Sequence, residues 1–259
     1  MYIDSHAHLS GTEFPEGIEP LLARAKEAGL EAIINICTDR DSLEKGLEFA
    51  KTYSWIYNTV ATTPHDVERE DDALFSLFAK HAKSGDLVAV GETGLDYYYE
   101  HSPREVQKKC LVRYLHLAAE CQLPLVIHCR FAFKALFELI DSEYHPKRGE
   151  KPGVLHCFTG TMEEAKELLD RGWFISMSGI VTFKKSQELR DVAKMIPLSQ
   201  LLIETDTPYL APQSKRGKTN EPSYLPETAQ VMATIKNLPL EEIAEATTNN
   251  AKLLFKLRS

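Results

Sequence analysis

No run of eighteen apolar residues occurs in the chain, so a membrane-spanning helix is not expected. The first residues enter an apolar run directly, without the basic segment and apolar stretch of a secretory leader. There is no Cys-x-x-Cys pair, and the five cysteines (Cys37, Cys110, Cys121, Cys129 and Cys157) make an odd count. That speaks against a disulfide framework and fits reduced thiols, so a cytoplasmic location is expected. Gly-x-Ser-x-Gly and Walker-type loops are also missing, which sets aside a serine nucleophile elbow and a nucleoside-triphosphate cradle. A basic excess is lacking as well: 30 Lys and Arg face 38 Asp and Glu, a formal net charge of −8. Any polyanion must therefore be met by a local cationic site or by bound metals. No Gly/Ser-rich linker, low-complexity segment or internal repeat divides the 259 residues. A single domain over residues 1–259, acting as a monomer, is the expectation.

What is present is alternation. Short β-branched runs at Tyr2–Asp4, Ala32–Ile36, Ile56–Ala61, Leu87–Val90, Leu125–Ile127, Val154–Leu155, Phe174–Met177 and Leu201–Ile203 read as strands. Each is followed by a segment of helical spacing; the first, Gly17–Ala28, stops at Gly29 as a helix should. Eight such units predict an α/β fold, a (β/α)8 TIM-type barrel. The competing open doubly wound sheet would want a Gly-x-Gly-x-x-Gly turn after its first strand, and none is there.

The chemistry-bearing residues stand at the carboxyl ends of these runs, where a barrel builds its active site. His6 and His8 follow the first strand one residue apart, and the strand period of two aims both imidazoles the same way. A lone His-x-His is often a surface pair. Here it is joined by Glu92 after the fourth strand, His128 after the fifth, His156 after the sixth and Asp206 after the eighth. Unpaired ionisable groups are too costly to gather in a core without a use. A carboxylate has two oxygens, so Glu92 can bridge two cations, with His6, His8 and Asp206 around one and His128 and His156 at the other. Two divalent ions would activate a water and polarise an electrophile, and Asp206 could accept the water's proton. A mononuclear deaminase barrel would share the first histidines but has no need of a bridging acid at Glu92.

The segments Ser5-His6-Ala7-His8-Leu9, Gly91-Glu92-Thr93-Gly94-Leu95-Asp96-Tyr97-Tyr98, Val126-Ile127-His128-Cys129-Arg130, His156-Cys157-Phe158-Thr159-Gly160, Glu204-Thr205-Asp206-Thr207-Pro208 and Asn220-Glu221-Pro222 resemble the signature blocks of the TatD family of metal-dependent deoxyribonucleases. The resemblance implies a metal-dependent hydrolase barrel with a binuclear site at His6, His8, Glu92, His128, His156 and Asp206. It further implies 3′–5′ exonuclease-type cleavage of DNA, single-stranded or at ends, with magnesium, manganese or zinc as cofactor. Asp206 and Glu92 are then the catalytic pair, and Asn220 a substrate contact. His65 and Arg130 are read as substrate contacts as well: His65 either donates to a phosphate oxygen or caps the next helix, and Arg130 either grips a phosphate through its planar fork or forms a salt bridge at the rim. The chain departs from the family pattern at Thr63, at Phe131 and at Thr219, none of them a proposed ligand. Alternatives are a two-metal hydrolase of another ester, such as a D-aminoacyl-tRNA deacylase, or a catalytically silent scaffold.

Smaller features carry two readings each. Glu204 either orients a ligand or forms a core-edge ion pair. Cys129 and Cys157 are expected to face the surrounding helices, and Cys37 to pack. Tyr97, Tyr98 and Tyr99 are expected to pack at the rim, with base stacking as the other reading. Lys184-Lys185 and Lys215-Arg216-Gly217-Lys218 read as solvated charge or as a counterweight near a polyanion.

Overall fold

Every one of the β-branched runs becomes a strand of one parallel sheet. A computed structural model of the chain describes residues 1–11, 13–147 and 149–257. The strands are β1 (Tyr2–Ala7), β2 (Leu30–Cys37), β3 (Ile56–Val60), β4 (Ala89–Asp96), β5 (Leu125–Arg130), β6 (Gly153–Leu155), β7 (Phe174–Met177) and β8 (Leu201–Ile203). They pair in sequence order. Ala7 bridges Thr207, just past β8, so the sheet curls almost shut. Between the strands run α1 (Ile18–Glu27), α2 (Arg40–Thr52), α3 (Asp72–Ser84), α4 (Arg104–Cys121), α5 (Phe133–Glu143), α6 (Met162–Asp170) and α7 (Gln187–Met195); α8 (Leu225–Lys236) and α9 (Leu240–Phe255) follow β8. This is the expected TIM-type (β/α)8 barrel, built as one domain.

Alternation along the strands explains both cores. In β2, Ala32, Ile34 and Ile36 pack inside the barrel with Ile3, Val126, Val154, Phe174 and Leu202, and Leu254 and Phe255 of α9 join that cluster. Ile33 and Cys37 belong instead to the layer between strands and helices. Helix starts are fixed locally. At α2, the Asp39 carboxylate accepts from Ser42 N–H and the Ser42 hydroxyl from Asp39 N–H. Thr161 and Glu164 close the same reciprocal cap on α6.

Three strands outrun their predicted ends by three residues or more, and all three carry candidate site residues. β1 continues to Ala7, β5 to Arg130 and β4 to Asp96. Two glycines in β4 look like turn residues in sequence. In the fold they let β4 lie against β5: a Cβ on Gly91 would sit 2.5 Å from Val126 O, and one on Gly94 only 1.9 Å from His128 O. Among the described residues, no helix is long and apolar enough to cross a membrane.

Candidate metal centre

The closure of the barrel sets the first group of donors. His8 N–H donates to Thr207 O at 2.7 Å and Asp206 N–H to His6 O at 2.9 Å, so β1 and the segment after β8 share one edge. Buried Asp4 ties the same segment down, accepting from Thr205 N–H at 2.9 Å and from its hydroxyl at 2.6 Å. With the backbones locked, His6 Nε2 and His8 Nε2 meet at 3.2 Å. Asp206 Oδ1 lies 3.6 and 3.7 Å from those two nitrogens.

Glu92 stands between this group and a second one. Its Oε2 is 3.3 Å from His6 Nε2 and 3.5 Å from His8 Nε2. Its Oε1 is 3.2 Å from His128 Nδ1 and 3.1 Å from His156 Nε2. These last two nitrogens are 3.3 Å apart. All six residues therefore converge: the imidazoles divide around the two Glu92 oxygens, and His156 also lies within reach of His6 and Asp206.

The donor chemistry of this cluster fits divalent cations. Two imidazole lone pairs facing each other at 3.2 Å repel unless a proton or a cation lies between them. Ligands about 2.0–2.2 Å from a shared tetrahedral ion would stand roughly 3.3–3.6 Å apart, close to the 3.1–3.7 Å found here. The charge balance agrees. Burial pushes the His8 imidazole down to about 3, with His6 adding to it. Burial, then His156, lowers His6 as well, so both rings keep a lone pair at neutral pH. For Glu92, burial pushes upward, but His156 and bonds from His128, His156 and His6 hold the carboxyl well below its usual range. Burial opposes charge on His156 too, yet Glu92 and Glu204 outweigh it and raise that ring well above the usual histidine range. The pocket calls for positive charge.

Asp206 behaves differently from Glu92. Burial raises its carboxyl well above the ordinary value; His156 pulls it back only in part, and Glu204 and Glu92 push it further. Two neighbouring carboxyls with opposite shifts can divide the roles of fixed anion and proton acceptor.

Behind the histidines lie two more acids. Glu204 is fully buried; its Oε1 accepts from Cys157 N–H at 2.6 Å and lies 3.4 Å from His156 Nδ1. Asp96 carries a role that the sequence reading missed. It is buried at the end of β4, with Oδ2 3.0 Å from His128 Nε2 and Oδ1 accepting from Tyr98 and Tyr99 N–H. A signal was available: Glu92, Gly94 and Asp96 alternate on one strand, so both acids share a face. His65, Asp96 and His128 also form a possible ligand trio. With Nε2 as its ligand atom there, His128 would carry its ring proton on Nδ1, donating it to Glu92 and giving up the lone pair that faces the Glu92 group, so Asp96 is better suited to orienting His128.

The expected substrate contacts separate. His65 and Arg130 line an open cavity of about 480 Å³ at the mouth, together with His8, Glu92 and Asp206. Asn220 does not reach it. Its side chain is buried, donating to Thr205 O at 2.7 Å and Tyr209 O at 2.6 Å while accepting from Glu221 N–H at 3.0 Å. The structure corrects its expected place: both amide hydrogens are committed to the backbone that carries Asp206. Cys37 packs among Asn35, Asn58 and Gly46, and Cys129 joins the layer beneath the helices. Cys157 does not. β6 ends at Leu155, Cys157 has φ +44°, and its Sγ sits 3.2 Å from Ser178 Oγ at the cavity wall. Tyr98 and Tyr99, expected to pack, are more than half exposed.

A parallel eight-stranded barrel with histidines and carboxylates gathered at its carboxyl mouth defines the class, a metal-dependent hydrolase. The chain belongs to the family described as TatD related DNase, whose model matches residues 3–256. It is 38% identical over 260 residues to the Bacillus subtilis protein named "Uncharacterized metal-dependent hydrolase YabD", covering 99% of this chain and 100% of that one. It is 33% identical to the Erwinia tasmaniensis "3'-5' ssDNA/RNA exonuclease TatD", covering 98% and 99%. The crystal structure of YJJV, a TatD homologue from Escherichia coli K12, superposes with a TM-score of 0.93 at 29% identity, covering 99% and 98%.

Proposed function

We infer that this hydrolase cleaves phosphodiester bonds of single-stranded DNA from the 3′ end, using two divalent cations. The observation that carries the reading is Glu92, whose oxygens face separate donor groups at 3.1–3.5 Å. His6, His8 and Asp206 would hold one ion with Glu92 Oε2, and His128 and His156 the other with Oε1. When bound, such a pair lowers the pKa of a water and neutralises charge building on a phosphoryl group. The Asp206 carboxylate, 3.6–3.7 Å from the His6 and His8 nitrogens, would take the water's proton. Glu92 stays ionised and holds the two donor groups in register. His65 and Arg130, at the mouth, are placed to donate to phosphate oxygens, Arg130 through its planar fork. The family description and the Erwinia relative's name support nucleic acid as substrate over other esters.

The test is end-labelled single-stranded DNA incubated with the protein and magnesium, manganese or zinc. Stepwise shortening from the 3′ end is the expected result. No cleavage with any of the three ions, together with turnover of D-aminoacyl-tRNA, would transfer the site to the deacylase alternative.

A further inference from the structure

Beside the cavity, the loops after β4 and β5 put aromatic rings into solvent. Tyr98, Tyr99 and Phe131 are 55%, 51% and 75% exposed. They are not scattered. The Arg130 guanidinium lies 4.0 Å from the Tyr98 ring centre and 4.7 Å from that of Tyr99. On Tyr98 the Phe131 ring stacks at 5.5 Å and 22°. Phe131 is the most exposed of the three, and its backbone is left-handed, φ +54°, a conformation that Gly and Asn adopt at less cost. Neither burial nor backbone preference accounts for a phenylalanine there. A flat apolar ring held open beside a guanidinium is what an unpaired nucleobase needs, stacking on the ring while its phosphate meets the cation. The charge pattern favours the same occupant. The protein is net anionic, and Arg130 supplies a local cation next to the Glu92 cluster.

We propose that Phe131, backed by Tyr98 and Arg130, is a stacking platform for an unpaired nucleobase of a single strand threaded into the cavity. The proposal rests on the nucleic-acid reading of the metal centre and adds how the strand is gripped. It also gives a physical reason to prefer single strands, because a base inside a duplex has both faces covered by its stacked neighbours.

The test is binding, measured by fluorescence anisotropy with labelled phosphorothioate octamers, one of deoxyadenosine and one abasic with the same charge. The wild-type protein should bind the base-bearing octamer at least about fivefold more tightly, within the range that stacking on an aromatic ring gives. Phe131→Ala should erase that difference without lowering the melting temperature, and Phe131→Trp should keep it. Equal affinity for both octamers in the wild-type protein, or an undiminished preference in Phe131→Ala, overturns the platform. Cleavage is scored separately on ordinary DNA. A Phe131-dependent base preference without cleavage upholds the platform and removes the nuclease reading. Cleavage without base preference does the reverse.

Discussion

The Asp96 carboxylate and the His128 imidazole meet through Oδ2 and Nε2 at 3.0 Å. If the proton of the neutral ring sits on Nε2, the Nδ1 lone pair is left facing Glu92 and His156. Asp96→Asn keeps an oxygen for the Tyr98 and Tyr99 amides but turns an NH2 toward His128, favouring the opposite tautomer. We expect metal affinity or turnover to fall about 10- to 100-fold with the fold intact. Calorimetric titration of zinc or manganese, with circular dichroism as control, checks this; wild-type affinity in the variant would leave Asp96 as a turn-forming residue only.

Asp206→Asn separates holding from proton transfer. The amide oxygen stands where Oδ1 now faces His6 and His8, so metal content should change little. The proton acceptor is gone, and a loss of about 10²- to 10⁴-fold in kcat is expected. Single-turnover DNA cleavage with metal content measured on the same sample makes the comparison, and full activity would exclude Asp206 as the base.

Metal removal should destabilise the whole barrel mouth, since His6, His8, His128 and His156 are then left with repelling or unmatched nitrogens. Elemental analysis is expected to return about two divalent ions per chain after loading. At a free metal concentration 100 times Kd, one bound ion contributes about 2.7 kcal/mol. Two such ions together contribute about 5.4 kcal/mol, so for a chain of this size their removal by chelation should lower Tm by roughly 10–20 °C. A stoichiometry near zero, or a Tm indifferent to chelator, would count against both ions.

How much of this was readable from residues alone depended on range. His6, His8, Glu92, His128, His156 and Asp206 were legible because each stands at or near the carboxyl end of a strand that hydrophobic patterning reveals. The length of β4 was not, because Gly91 and Gly94 look like turn residues until the β5 backbone is seen pressed against them. Asp96 was hidden by that same misplaced strand end. Cys157 followed a strand that stops sooner than alternation suggested, and its left-handed backbone turns the thiol to the cavity. Nothing local shows that Tyr98 and Phe131, on different loops, stack.

Asn220 gives the clearest contrast between a substrate contact and a brace. Its NH2 spans two carbonyls, Thr205 O and Tyr209 O, on either side of Asp206, which itself holds a left-handed φ of +61°. Removing that clamp strands two buried acceptors and frees the turn that aims the carboxylate, at about 1–3 kcal/mol for each unsatisfied group. Asn220→Ala is therefore expected to lower Tm by roughly 5–15 °C and to reduce kcat more than it raises KM. A residue that only gripped DNA would do the opposite, raising KM and leaving Tm alone. Thermal melts and steady-state kinetics on one preparation decide between them. Asn220→Asp should fare no better, because it would set a carboxylate oxygen against both carbonyls.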